Sequence, residues 1–531
     1  MKIRLWVLAV VWFACQPGQT AQLPYSVLWQ EPGSYAQPEI FSSSPDSVFN
    51  SGWKYVKGLP DETLFVAQLP QPDSLVELPH RVLSPNTALW YKQIISFSGN
   101  GVLSIQADDG AQVWINDEAA ERIQGDAFKV FAVEDAHVLI RVLNNAMSGG
   151  LKRVSYFREE HFEALQQEYE KQLAAKRKHE KQVLQIDSRL PLWVGPWLTR
   201  TDSFFTIRLI TEGDPVKLHW GLEPGKLNQA EQEEGKLVSF NITIPDTDWF
   251  YKICSGSYCT PVYPVAAEKQ DFSFSVWGDS QSGWHSFQKH IQHLSQEQDA
   301  FTVGVGDLVG NGCKAEEWRA FTGLLSDYTA NRPAYLIAGN HDYDGYYTDL
   351  NPQGYHQYAS PAGKPYFAWT YANCAFIAID PNTQFPIGFP EEQRDWFYGQ
   401  LQSDKWKRAA WRFVFVHQPP YSQGWAGYQG DAVVRELLEP VMEEAGIDFV
   451  IAGHTHDYER MVKHYGKQRT HFIITGGGGG SLEPAESSAQ PKMDTVIKAH
   501  HYIRFRVSGN KLDWATHDLG NQLIDTKSVL K

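Results

Sequence analysis

The sequence is poor in positive charge and in cysteine, and its one leading apolar run is short; each shortage narrows what the protein can be. Lys and Arg number 47 against 62 Asp and Glu, a formal net charge of -15. That balance excludes nucleic acid as the main partner, because phosphate backbones are held through clustered Lys and Arg. A small anion is not excluded, since bound metal cations would dominate the local field. Of five cysteines, Cys15 falls in the leader region and four remain. Cys254 and Cys259 flank Ser255-Gly256-Ser257-Tyr258, a spacing that suits a disulfide across a hairpin. Cys313 and Cys374 are left either paired or as separate buried thiols. There is no internal repeat. The 531 residues exceed what one core serves and imply about three folded units.

Residues 1–21 read as a signal peptide: Met1-Lys2-Ile3-Arg4, then the apolar run Leu5 to Ala14, too short to span a bilayer. With Cys15 directly after residue 14, this resembles a bacterial lipoprotein leader, departing from it at Trp12, where leucine is usual. The resemblance implies a lipid anchor on Cys15; cleavage near Ala21 is the alternative, giving a soluble exported protein.

Residues 22–157 carry short strands at 90–97, 102–107 and 113–115 between Gly- and Asp-containing turns, which indicates a β-sandwich or jelly roll. From Leu89 through Asp108-Asp109-Gly110 and Trp114-Ile115-Asn116 to Asn144-Asn145 the segment resembles the galactose-binding-like domains appended to glycosidases. That implies a glycan partner, with Trp90 and Trp114 as stacking candidates, although aromatic residues on strands more often fill a core. Residues 158–187 read as a connecting helix with Phe162, Leu165, Tyr169 and Leu173 on one face. Residues 188–268 again alternate like strands, at 204–210, 216–220 and 249–253. Residues 269–531 mix strands with helices at 286–294, 391–401 and 432–444, the pattern of a layered α/β unit.

The chemistry lies in this last unit. Five apolar runs, 272–277, 301–305, 334–338, 413–416 and 449–452, read as buried strands. They end in Asp279-Ser280-Gln281, Asp307, Asn340-His341-Asp342, His417 and His454-Thr455-His456. Open α/β sheets bind ligands at the carboxyl ends of their strands. Asp, Asn, Gln and His together make a metal donor set. One Gly-Asp or Gly-Asn pair is a common turn; five at one edge are not explained by turns.

On these motifs, and on His417-Gln418-Pro419-Pro420-Tyr421-Ser422, Gly453 to Arg460 and the glycine run Gly476 to Gly480, the chain from Asp271 onward resembles the calcineurin-like metallophosphoesterase superfamily. In detail it resembles the purple-acid-phosphatase-like branch, and residues 188–268 resemble the fibronectin-like domain that precedes the catalytic unit there. The resemblance implies a multidomain protein: N-terminal β-sandwich or jelly roll, fibronectin-like β-sandwich, and a C-terminal α/β four-layer metallophosphoesterase sandwich. It also implies two divalent or trivalent ions drawn from Fe, Mn and Zn. Asp279, Gln281, Asp307 and His456 would hold one; Asp307, Asn340, His417 and His454 would hold the other, with Asp307 shared. The implied reaction is hydrolysis of a small phosphoester by in-line attack of a metal-bridging hydroxide. Asn340 would touch metal and phosphate, and His341 would protonate the leaving oxygen or steady its charge.

Three positions depart from the pattern. Gln281 stands where many members have histidine, and Ala426 where bacterial relatives carry a second histidine after the Tyr-Ser pair. Gly310 stands where purple acid phosphatases have a tyrosine ligand, three residues beyond the bridging aspartate. Trp425 and Tyr428 are candidates for the substrate pocket. The favoured reading is a phosphomonoesterase exported to the periplasm or held as an outer-membrane or cell-surface lipoprotein. A phosphodiesterase or nucleotidase on the same centre, and an envelope glycan-binding protein with a reduced phosphatase domain, stay open. Lacking the phenolate, the iron-loaded protein is expected to show no strong visible absorption band. A spectrum of the reconstituted protein checks this, and an intense band would contradict it.

Overall fold

Strands that are apolar on both faces need cover on both faces, and the C-terminal unit supplies it with four layers. The computed structural model describes residues 25–29, 39–41, 43–58, 73–107, 110–144, 148–187, 190–343, 352–384 and 386–531. The leader with Cys15 lies outside them, as do Asp108, Asp109 and Asn145 of the N-terminal motif. A nine-stranded and a seven-stranded sheet meet in an aromatic seam. There Phe274 stacks on Phe505 at 4.9 Å and meets Phe376 and Phe413 edge-on at 5.8 and 5.6 Å. Helices Trp284–Leu294 and Ala315–Thr329 cover the outer face of the first sheet. Glu391–Leu401 and Ala432–Leu438 cover that of the second. The helix expected over 432–444 is broken. Pro440 has no N–H to donate, and a 3-10 turn, Glu439–Val441, intervenes before Met442–Ala445.

The nine-stranded sheet runs Leu237–Thr243, Phe204–Ile210, Val194–Arg200, Pro333–Ile337, Phe301–Val305, Phe272–Trp277, His501–Ser508, Lys511–Asp518, Leu523–Leu530. Its first three strands come from 188–268, so the sheet continues across the 268/269 junction. Val194–Arg200 pairs in parallel with Pro333–Ile337 through Leu198↔Pro333 and Thr199↔Ala334. The same three strands pack on a smaller sheet, Gln229–Glu233, Val216–Gly221, Trp249–Ser255 and Tyr258–Cys259, around Trp193, Phe205, Trp249 and Tyr251. The Cys254–Cys259 disulfide spans the hairpin as expected. Cys313 and Cys374 are not joined: Cys374 is buried on strand Cys374–Ile379, and Cys313 is exposed near Gly125.

The N-terminal unit is a sandwich of a five-stranded and a six-stranded sheet around Trp53, Tyr91, Leu103, Val113 and Ile140. Trp90 is buried against Trp114, with ring centroids 5.5 Å apart and the Arg141 guanidinium beside both. Its ring therefore serves packing rather than a sugar-facing surface. Helix Glu159–Val183 lays Phe162 and Leu165 on Val102, Ala127 and Phe157 of this sandwich. Further along, Arg177 pairs with Glu180 and Glu316, and Arg319 with Glu180, clamping the helix to Ala315–Thr329.

A fragment of residues 269–531 would leave the edge of Pro333–Ile337 unpaired and apolar surface bare. It is expected to aggregate, or to melt several degrees below the full chain when followed by circular dichroism. An unchanged Tm would show the shared sheet to be dispensable.

Candidate metal centre

The loops that follow the ligand-bearing strands are stitched together by main-chain bonds. Asp279 N donates to Gly306 O (3.0 Å), Gln281 N to Asp307 O (3.1 Å), Gly453 N to His417 O (3.0 Å) and Gly480 N to Asp279 O (2.8 Å). Asp279, Asp307 and His454 adopt left-handed backbone, with φ of 58°, 49° and 69°. Each costs on the order of 1 kcal/mol and persists where surrounding structure over-determines it, as these cross-bonds do. Crowding accounts for two neighbouring glycines. A Cβ at Gly453 would lie 2.4 Å from Asp279 Oδ2, and one at Gly306 2.3 Å from His417 Nδ1.

The side chains converge. Asp307, His417 and His454 present ligand atoms within 4.8 Å of one another. His456 Nε2 lies 3.5 Å from Asp279 Oδ1 and 3.3 Å from Gln281 Nε2. His417 Nδ1 donates to Val305 O (2.8 Å), and His456 Nδ1 to Ser481 O (2.6 Å). A carbonyl only accepts, so these bonds put the proton on Nδ1 and leave Nε2 as a bare donor atom facing the cluster. His417 Nε2 then meets Asp307 Oδ2 at 3.1 Å, lone pair to lone pair. Only a proton or a cation relieves that contact. Gln281 Oε1 and Asn340 Oδ1 are also buried without hydrogen-bond partners. Such orphans cost about 1–3 kcal/mol each unless something takes them up.

The electrostatics point the same way. Burial alone would lower the His417 imidazolium, but the Asp307 carboxylate outweighs it and holds it up at about 10. Asp279 does the same for His456, at about 9. Burial, reinforced by charge on His417, keeps His454 well below its ordinary value. The pocket draws in positive charge, and its mixed oxygen and imidazole donors suit Fe, Mn or Zn. The residues present fit a metal site.

At the rim, His341 N donates to Asp307 Oδ1 (2.9 Å) and its Nδ1 to Gly310 O (3.1 Å). At Gly310 a Cβ would come within 2.8 Å of Ser282 Oγ and 3.0 Å of Glu317 Oε2, so the space of a phenol ligand is already taken. The Trp425 and Tyr428 rings stand 5.8 and 5.6 Å from His454, with Ala426 exposed between them. All ten residues singled out from the sequence thus gather at one place.

Two carboxylates that the sequence reading did not single out hold the loops. Asp342 Oδ1 accepts from Leu308 N (2.9 Å) and Val309 N (3.1 Å), and its Oδ2 from Gly339 N (2.8 Å), tying the Asp307 loop to the Asn340 loop. Glu459 accepts from Ser422 Oγ (2.8 Å), Gln423 N (2.7 Å) and Gly424 N (2.9 Å). Both sit inside ligand motifs, and an acid next to ligands on a buried strand end was the available signal. Asp342→Asn keeps the shape but only one acceptor oxygen, so one side of the tie is lost. Its metal affinity is expected to fall about 10–100-fold in a chelator competition. Wild-type affinity in the variant would show the tie to be idle.

Residues 272–458 match the family model for calcineurin-like phosphoesterases. Purple acid phosphatase 21 of Arabidopsis thaliana is 27% identical over 45% of this chain and 56% of its own length. Purple acid phosphatase 22 of the same plant is 25% identical over 59% and 78%. The chain spans about three fifths of the length of several of these curated relatives. In fold, the chain is similar to purple acid phosphatase PPD1 from yellow lupin (Lupinus luteus) seeds, over 90% of this chain and 95% of that one, with TM-score 0.56 and 13% identity. Such kinship implies a binuclear metal centre. Residues 272–458 thus carry a calcineurin-like phosphoesterase domain, and the chain around it is similar to purple acid phosphatases.

Proposed function

We propose that the chain hydrolyses phosphate monoesters at a binuclear metal centre. The observation that carries this is the set of buried acceptors without hydrogen-bond partners, Gln281 Oε1, Asn340 Oδ1 and His417 Nε2, on residues that follow three different strands beside Asp279 and Asp307. Asp279, Gln281, Asp307 and His456 would hold one ion; Asp307, Asn340, His417 and His454 would hold the other. When bound, the metals supply Lewis acidity toward phosphate oxygens and a nucleophile at neutral pH. Asn340 orients the phosphate. His341 keeps its Nδ1 proton on Gly310 O, so the proton it delivers to the leaving oxygen comes from Nε2. With alanine at 426, His341 acts alone, and esters whose leaving groups need little protonation are favoured. Trp425 and Tyr428 wall the pocket beside His454 and keep water from its side.

The test is turnover of a chromogenic phosphomonoester and a phosphodiester by wild type and Asp307→Asn, with metal content measured. Monoester turnover is expected to exceed diester turnover in wild type and to fall about a thousandfold or more in Asp307→Asn, with metal below about two equivalents. Faster diester turnover would turn the reading to a phosphodiesterase on the same residues. No hydrolysis after Mn, Fe or Zn loading would overturn it.

A further inference from the structure

The N-terminal sandwich supplies none of the candidate ligands named above, yet it meets two loops that frame the ligand cluster. Asn86, in left-handed backbone (φ 50°) just before strand Thr87–Phe97, donates through Nδ2 to Asp431 Oδ1 at 3.3 Å. Asp431 Oδ2 accepts from the Tyr428 hydroxyl, and the Tyr428 ring stands edge-on to His454. Asp431 N also donates to Pro419 O (2.8 Å), closing the loop that begins at His417.

The second contact lies on the loop after Asp307. Gly125 lies beside Cys313: a Cβ there would stand 3.7 Å from its sulfur, ordinary van der Waals distance. The Gly125 turn is braced by the Arg122–Asp126 pair (2.9 Å) and by Arg122 bonds to Gly125 O and Ala111 O. The loop it touches is the one that holds His341. Gly312 N donates to His341 O (2.8 Å), and Gly310 O accepts from His341 Nδ1. Helix Ala315–Thr329 starts immediately beyond, where Glu316 and Arg319 are clamped to the connecting helix. The sandwich is therefore hydrogen-bonded to the wall beside His454 and lies next to the loop beneath His341.

We propose that the N-terminal sandwich is a specificity element of the site. By fixing the Tyr428 wall beside His454 it favours phosphate on a small, compact leaving group over phosphate carried on a protein. The inference rests on the phosphoesterase reading above. Asn86 and Asp431 are positioning residues, acting on the pocket through Tyr428. Asn86→Asp is nearly isosteric and sets a second carboxylate against Asp431, replacing attraction by repulsion at that contact.

The experiment is steady-state kinetics of the full-length, metal-loaded protein on p-nitrophenyl phosphate and on phosphorylated casein, with metal content and Tm recorded. Wild type is expected to favour the small ester by about a hundredfold or more in kcat/KM. Asn86→Asp is expected to raise KM for the small ester about fivefold with less change in kcat, and to narrow the preference about tenfold, at wild-type metal content. Tyr428→Phe removes only a hydroxyl and is expected to raise KM in the same way, so a misfolded Asn86→Asp protein does not end the test. Wild-type KM and preference in folded variants, or equal wild-type use of both substrates, would overturn the inference alone. Wild type inactive on both would overturn the phosphoesterase reading and this inference with it.

Discussion

Asp279 and Asp307 are 0% and 2% exposed, and they share one pocket with the imidazoles of His417, His454 and His456. Taking an ionised carboxylate out of water costs several kcal/mol even after the protein relaxes around it. The local architecture reads as an answer to that cost. Main-chain N–H groups of His454 and His341 donate to the two acids. The Nε2 atoms of His417 and His456 face them, with the Nδ1 protons of both rings committed to carbonyls. What these groups leave over is negative, and a cation completes the arrangement.

A pocket of this kind works only if its walls hold still, since ligand positions must be kept to within about 0.5 Å. Rigidity comes from two levels. The aromatic seam between the sheets fixes the strands, because close-packed rings such as Phe274, Phe413 and Phe505 have no space to shift into. Beyond the strand ends, Asp342 and Glu459 each collect three donors and hold the loops that the seam cannot reach.

The convergence of the candidate residues and the layered unit could be read from the sequence because each of these residues closely follows an apolar strand, so short motifs carry the geometry. The break at Pro440 was equally local, and the apolar spacing beyond it masked a residue that cannot continue a helix. What could not be read is pairing between distant segments. Leu198 beside Pro333, and Asn86 beside Asp431, leave no mark in either stretch. The units at 188–268 and 269–531 look separable in sequence because strand patterns restart there, while the hydrogen bonds that join them belong to a register set only in three dimensions. Trp90 shows the same limit on a smaller scale, since alternation along a strand does not say which face meets a core and which meets a ligand.

The shared sheet also bears on how the chain comes to be folded. As synthesis proceeds, Val194–Arg200 emerges long before Pro333–Ile337, and Phe272–Trp277 long before its neighbour His501–Ser508. Until residues 501–508 appear, the central sheet has an open edge at Phe272–Trp277, lined by Phe and Val. Pairing across such separations, parallel in the first case and antiparallel in the second, is slow to form and exposed to aggregation while it waits. The nine-stranded sheet thus closes late, after every strand of the N-terminal sandwich and of the seven-stranded sheet has been made.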